Sequence, residues 1–312
     1  MRALDPDHPI YMVENQADAF VSTGQATDIL VSDQYPFRPS ETLPIRLVGD
    51  DVRKAIAAVK EDKPVWSILQ TFQSGAWNYL PTIAEVRNMG YQSFLAGAKG
   101  LGFYAITDPG WRLKDSVLWP GMVAFKDEIG LMRDLLVDGT KTNESIGNDV
   151  QWGVWSKGNA QYVIAINTSS QQQQASIPLG QTGSRVDLLH GDTPSQFGVL
   201  TTELQVTLKP LQTNVYRVVS LIDDASNVGS TVSSLQAAGS IHAQFASQLE
   251  YRMSIIQLLL RQGNFEQAVS YIQDFIRYIH DPSVLAQLLI TPEAAEQLGG
   301  QLAALLHSMT HQ

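Results

Sequence analysis

Four side chains able to donate, accept or hold a proton stand at or just after short apolar runs of the sequence. They are Glu14, Asp33, Gln70 and Asp108, and the runs are Ile10–Val13, Ile29–Ser32, Val65–Leu69 and Leu101–Ile106. Each run is mostly apolar at every position, as parallel strands covered on both faces are. In α/β proteins the working side chains collect at the C-terminal ends of such strands. Two carboxyl groups facing one bond are what glycoside cleavage needs, ~5–5.5 Å apart for retention and ~6.5–9.5 Å for inversion. Glu14 and Asp33 follow consecutive runs and form the candidate catalytic pair. The alternative for both is a helix cap or a loop ion pair. Tyr35-Pro36 follows Asp33 closely, which sets an acid and an aromatic ring on one rim. Asp108 precedes Pro109-Gly110, a turn sequence, so its plainer role is in that turn.

Aromatic residues gather in the same connecting segments: Tyr35, Phe72, Trp77, Tyr79 and Trp111. A sugar ring offers an apolar face of C–H groups and a rim of hydroxyls. A site for it therefore combines flat rings with fixed polar partners such as Asn15, Gln70 and Asn78. The candidate substrate-binding set is Tyr35, Gln70, Phe72, Trp77, Asp108 and Trp111. The competing reading is that some rings only pack loops against the body of the domain. For Trp66, inside a strand run, core packing is the expectation.

Other chemistries find no footing. The run Gly97-Ala98-Lys99-Gly100-Leu101-Gly102 leads from helix into strand, the reverse of the polarity that aims a helix N-terminus at a phosphate. The six histidines show no HExxH or other metal spacing, and there is no GxSxG elbow. The chain has no cysteine, so disulfides, thiolate metal sites and thiol nucleophiles are excluded. No cofactor and no metal are expected. The formal charge of −10 disfavours non-specific nucleic-acid binding, because like charges repel. No apolar run approaches the ~20 residues of a membrane span. Arg2, Asp5, Asp7 and His8 interrupt any signal-peptide core, and Met1 stands only nine residues before the first strand run, as at a truncation or internal start.

These residues need elements to position them. Between the second and third strand runs, 50–60 has Asp50 or Asp51 as cap and Val52, Ile56 and Val59 as one apolar stripe. Thr82 and Glu85 have capping-box spacing at the start of a helix that Gly100 would end. A further helix covers about 121–137. Alternation of this kind calls for a parallel sheet. From 150 to 219 six short β runs recur between Gly, Asn, Ser and Pro clusters, as in a sandwich, with Gln171–Gln174 as a solvated loop. The small, Ser-rich stretch that follows reads as a flexible linker. Beyond it Phe245, Leu249, Met253, Ile256 and Leu260, then Phe265, Val269, Ile272, Ile276 and Ile279, keep helical spacing. The expected domains are 1–138, 139–221, a linker over 222–238, and 239–312.

The segments Leu4-Asp5-Pro6-Asp7-His8-Pro9-Ile10, Ser32-Asp33-Gln34-Tyr35-Pro36, Lys63–Phe72, Pro81-Thr82 and Gly97–Tyr104 carry a resemblance. In order and spacing they resemble strands five to eight of the (β/α)8 barrel of bacterial glycoside hydrolases. Residues 239–312, through Gln262-Gly263-Asn264, Ala268 and Asp274-Phe275-Ile276, look like a FIMAH-type helical domain of exported bacterial proteins. The fold class this implies is a partial barrel of about four β/α units, then an all-β sandwich, then a small all-α bundle. A complete barrel needs ~250 residues and eight strands. The family's nucleophile is a glutamate at the end of the seventh strand, where this chain has Leu69-Gln70-Thr71. The resemblance thus implies the C-terminal part of a carbohydrate-active protein, extracellular or at the cell surface, that by itself does not turn over substrate. The alternative is a non-catalytic glycan-binding or scaffold protein whose helical module holds a protein partner. An uncovered strand Ile10–Val13 would favour self-association or poor solubility.

Overall fold

The computed structural model describes residues 5, 7–60, 62–147, 149–191 and 196–310, with backbone alone for 180–184 and 196–201. Met1, Arg2, Leu4 and Pro6, used above in reading the N-terminus, lie outside the described residues.

The N-terminal region runs β1 (Tyr11–Glu14), α1 (Phe20–Ala26), β2 (Ile29–Ser32), α2 (Leu47–Ala58), β3 (Val65–Gln70), α3 (Ile83–Ala96) and β4 (Gly100–Tyr104). The four strands pair in parallel in the order β1-β2-β3-β4, an open sheet and not a closed barrel. Register sets Val13, Val31, Trp66 and Gly100 in one row. A strand's side chains alternate between faces, so Leu30, Val65 and Leu69 lie on the opposite side. There Phe20, Val52, Ala55, Val59 and Ala98 bury Leu30 and Val65 completely or nearly so. On the row's own side the indole of Trp66 lies across Gly100, where a Cβ would come within 2.8 Å of the ring. Trp66 is half-buried and edge-on to Tyr11, so it packs on an open face and not in the core expected for it.

Several boundaries move from their expected places. Helix α2 starts four residues before Asp51, and its acids serve within the helix: Asp51 holds Lys54 at 2.7 Å and Asp50 pairs with Arg53. The Thr82–Glu85 capping box is present, with Glu85 N donating to Thr82 Oγ1 at 3.3 Å and Thr82 N to Glu85 Oε2 at 2.7 Å. Gly97, at φ 105°, ends α3, and Gly100 already begins β4. A left-handed residue at this position favours glycine, which carries no Cβ to clash. Strand β4 stops at Tyr104, two residues early, and Ile106 is exposed.

After β4 comes a small hairpin, β5 (Thr107–Asp108) and β6 (Trp111–Arg112), and then α4 (Trp119–Asp138). Next are β7 (Thr140–Ile146), β8 (Val150–Lys157), β9 (Ala160–Asn167), β10 (Gln173–His190), β11 (Gln196–Leu208) and β12 (Thr213–Val219). All six pair antiparallel in one sheet, in the order β11-β10-β12-β9-β8-β7. The strands expected to form a sandwich are joined by continuous hydrogen bonding, and the β10–β11 ribbon packs against the face of β8 and β9. The pairing of β10 and β11 shifts register between Pro178 and Arg185, and Ile177, Leu179, Leu204 and Val206 share a buried cluster with Val154 and Val163. Gln173 and Gln174 pair within this ribbon, so they are strand and not loop. Strand β7, with exposed Thr, Lys, Asn and Glu, had no apolar signal to announce it.

The other face of the sheet joins the N-terminal region. Trp155, Ile164, Ile166 and Val215 pack against Phe94 and Leu95 of α3 and Met132 and Leu135 of α4. At this joint Arg87 grips Glu128 with Nε to Oε1 at 2.9 Å and Nη2 to Oε2 at 3.0 Å, and Tyr91 donates its hydroxyl to Oε2 at 2.9 Å. Asn88 Nδ2 donates across to the carbonyls of Asn167 at 2.9 Å and Leu211 at 3.0 Å.

Residues 222–238 are not a linker. Helix α5 (Leu221–Ala237) buries Leu221, Ala225, Val228 and Val232, one stripe at helical spacing. Its serines hide this by composition alone. Ser226, Ser230, Thr231 and Ser234 return their hydroxyls to carbonyls four residues back, which satisfies them inside a helix. The bundle continues with α6 (Ala243–Arg261), α7 (Phe265–Ile279), α8 (Pro282–Ala286) and α9 (Pro292–Thr310) around one core.

Candidate functional site

The C-terminal ends of β1 to β4 carry the candidate residues on one rim, and the structure sorts them by what their polar atoms already do. Glu14 ends β1, and its oxygens accept from Gln16 N and from Thr23 Oγ1 of α1, both at 2.9 Å. Its register partners are Ser32 and Ser67, both buried on the side that the helices cover. Gln70 is fully buried and clasps one residue twice: its Nε2 donates to the Phe37 carbonyl at 3.0 Å and its Oε1 accepts from Phe37 N at 3.2 Å. It thereby fixes the β2–α2 loop and has no polar atom left to face a ligand.

Asp33 is different. It follows β2 directly, and its backbone N donates to the Glu14 carbonyl at 3.1 Å. Its Oδ1 is buried and has no hydrogen-bond partner. Burial raises the Asp33 carboxyl above its ordinary range, and the hydrogen bond from Tyr35 only partly offsets this. The same burial, with the Asp33 bond and charge, pushes the Tyr35 hydroxyl up, so it stays a donor at ordinary pH. Tyr11, on the open face, is also raised, by burial and then by the Asp33 charge.

Around Asp33 stands a four-ring cluster. Tyr35 meets Phe72 at 5.6 Å, Trp77 at 5.8 Å and Tyr104 at 6.2 Å between centroids, and Phe72 meets Tyr104 at 5.1 Å. Phe72 is buried and supports the others, whereas Tyr104 is 44% exposed and Trp77 half-buried. Trp77 is presented by a tight turn in which Ser74 bridges Trp77 and Gly75 takes φ 58°. Thr71 ties β3 to β4 through the Tyr104 carbonyl, with N at 2.8 Å and Oγ1 at 3.0 Å. Tyr79 lies apart, with its hydroxyl on both Glu85 oxygens at 3.0 Å and pushed up to about 12 by burial and by that bond. Asn15 and Asn78 are exposed, and their carbonyls serve Gln34 and Gln73.

Asp108 and Trp111 face each other across the β5–β6 hairpin and line a cleft of about 540 Å³ with Arg112 and Asp115. Trp111 Nε1 donates to the Ala105 carbonyl at 3.4 Å, and Ser74 Oγ bonds the Pro109 carbonyl at 3.0 Å, which links this cleft to the Trp77 loop. Tyr104 belongs to this ring cluster but not to the set expected from the sequence. It is the last residue of β4, where strand ends supply site residues, and only the late boundary drawn at Ile106 concealed it. Among the described residues no group of His, Asp and Glu is placed to hold a metal ion, and no helix is long and apolar enough to cross a membrane.

Residues 225–307 match the model of the FIMAH domain. That span starts within α5, inside the stretch read as a linker. No curated protein matches the chain. The solved structures similar to it include several glycoside hydrolases. A GH30 endoxylanase from Clostridium papyrosolvens C71 shares 11% identity over 70% of this chain and 58% of its own, at a TM-score of 0.44. An Anoxybacillus α-amylase shares 13% over 70% and 54%, at 0.45, and a debranching enzyme from Nostoc punctiforme 15% over 70% and 53%, at 0.42. The chain thus spans little more than half the length of these structures.

Proposed function

We propose that this is a carbohydrate-active protein, and that its sugar lies along the rim formed by Asp33, Tyr35, Trp77 and Tyr104. The observation that carries this reading is the buried, unpartnered Oδ1 of Asp33 beside clustered rings. A buried carboxylate oxygen without a partner is costly unless a ligand completes it. A sugar hydroxyl or glycosidic oxygen is a fitting partner, since the ring's C–H face can stack on Tyr104 or Trp77 while the oxygen meets Asp33. In this reading Asp33 is the general acid or the hydroxyl-binding group, Phe72 backs the platform, Gln70 holds the loop, and Asp108 and Trp111 extend the binding rim.

Cleavage needs a second free carboxyl, and Glu14 has both oxygens engaged. The expected outcome is therefore that the chain alone binds oligosaccharide without turning it over. Extracellular or cell-surface placement follows from the same reading. A second reading, a glycan-binding or scaffold protein with no catalytic history at this rim, is favoured by Gln70, whose amide replaces a carboxylate and is spent on Phe37.

The experiment is calorimetric titration of the chain with a panel of xylo-, malto- and galacto-oligosaccharides, with product analysis alongside. Binding that falls about tenfold in Asp33→Asn and in Tyr104→Ala supports the rim. Binding indifferent to both substitutions, or no binding across the panel, would sink it. Release of shortened sugars by the chain would overturn the expectation of no turnover.

A further inference from the structure

The helical bundle holds a second groove, far along the chain from the rim and built from different chemistry. Helix α6 sets Gln244, Gln248 and Tyr251 at positions four and seven apart, hence on one face, and α7 sets Tyr271 and Tyr278 seven apart opposite them. With Arg252 they line a groove of about 540 Å³. The groove floor is sealed, because Phe245 and Phe275 are buried in the bundle core. What remains open is amphipathic: Tyr251 is 68% exposed, and Tyr278 gives its hydroxyl to Gln248 Oε1 at 2.8 Å, which leaves the Gln248 amide NH2 as a donor.

Arg252 is the groove's charge. Its guanidinium lies over the Tyr278 ring at 4.1 Å and over Phe275 at 5.9 Å. Among the described residues no carboxylate pairs with it, and none lines the groove. The acids nearest in sequence are occupied elsewhere: Glu250 accepts from Ser233 Oγ at 3.0 Å, and Asp274 pairs with Arg277. In a chain of net charge −10, an arginine held over a ring and left without a counter-ion is poised for an anion from outside.

We propose that this groove binds an acidic saccharide, a chain of uronic acid units. The carboxylate of one unit would pair with the planar fork of Arg252, a geometry suited to two parallel hydrogen bonds. The pyranose face of a neighbouring unit would lie on Tyr251 or Tyr271, with its hydroxyls on the side-chain amides of Gln244 and Gln248. An acidic peptide would satisfy the guanidinium but would leave the flat rings and amides without matched partners, so the saccharide is the better fit. The inference does not rest on the rim's function.

The test uses the whole chain at low salt, titrated with hexagalacturonate, with neutral xylohexaose and with hexaglutamate. Hexagalacturonate is expected to bind, hexaglutamate at least about tenfold more weakly, and any binding of xylohexaose, a ligand of the rim, to be unchanged by Arg252→Gln. Arg252→Gln should weaken uronate binding about tenfold, and Tyr251→Ala about fivefold, with Asp33→Asn and Tyr104→Ala without effect. Because Arg252 also packs on core rings, far-UV circular dichroism accompanies its variant, and the exposed Tyr251 supplies an independent arm. Absence of uronate binding, binding of the neutral hexaose that falls in Arg252→Gln and Tyr251→Ala, preference for hexaglutamate, or loss of uronate binding in the rim variants in place of the groove variants would each overturn the proposal.

Discussion

The helical bundle and the parallel sheet treat their apolar surface in opposite ways. In the bundle Leu249, Ile256, Leu260, Ile272, Phe275, Leu298 and Leu302 are wholly buried among other helices of the same bundle. The parallel sheet covers one face with α1 to α3 and leaves Tyr11, Val13 and Tyr104 about half exposed on the other. The bundle thus completes its own core, as segments with a helical apolar stripe can when they are adjacent in sequence. The sheet depends instead on what it joins. Its helices α3 and α4 bury their outer sides on the antiparallel sheet, and the Arg87–Glu128–Tyr91 group sits at that junction. Polar links from the antiparallel sheet to the bundle include Asn159 Nδ2 to Asp224 at 2.8 Å and Arg185 to the Ser308 carbonyl. The expected outcome of this division is two cooperative units: the sheets with α1 to α4, and the bundle.

The sharpest way to break the comparison is at the junction. Glu128→Ala strands Arg87 in a largely buried setting, a change that costs ~3–5 kcal/mol. Calorimetry should show the transition of the sheets shifted down while the bundle's transition stays in place. If the two move together, the units are one. Leu249→Ala probes the other side: it should cost the bundle ~2–5 kcal/mol through the lost burial and the cavity. The sheets should be untouched, which near-UV circular dichroism can follow because all six tryptophans lie outside the bundle.

A smaller effect separates the rim from both cores. The folded Asp33 carboxyl titrates above its ordinary value of 3.8. The folded state therefore holds more protons than the unfolded chain between that value and the raised one, so this group's contribution to stability falls as pH rises through the window. Asp33→Asn should flatten the pH dependence of denaturant unfolding there and leave the chain more stable at neutral pH. An unchanged profile would mean the carboxyl is solvated. Smallest in stability is Val13→Lys on the exposed edge, within about 0.5 kcal/mol. It should nonetheless reduce self-association in sedimentation experiments, since a lysine on an edge strand discourages pairing. A wild-type chain that is monomeric at all concentrations would show that the open face needs no cover.

Much of the architecture was legible because its signals are local. The strands β1 to β4 announce themselves as apolar runs, Thr82 and Glu85 mark the start of α3, and Leu249, Met253, Ile256 and Leu260 trace the buried side of α6. The misses have a shared cause. Helix α5 looks like a linker because serine is judged by composition, whereas its buried stripe and back-bonded hydroxyls depend on the chain already being helical. Strand β7 is polar up to its last residue, Ile146, and is a strand through its pairing with β8. The strand order β11-β10-β12-β9-β8-β7 was not legible either, because strand pairing is a long-range choice that alternation alone does not encode.

The candidate rim divides in the same way. Residue types and order determined that acids and rings would stand at the ends of consecutive strands, because parallel strands deliver their following residues to one edge. Only the tertiary structure decided which of them remain free. Glu14 carries the same carboxyl group as Asp33 and Gln70 a polar amide, yet Thr23, nine residues away, and Phe37, thirty-three residues away, occupy their polar atoms. Asp33 keeps one buried oxygen, Oδ1, without a partner. The reason is physical: a side chain's chemistry is written in its atoms, but its availability depends on the hydrogen bonds that neighbours distant in sequence have already made with it.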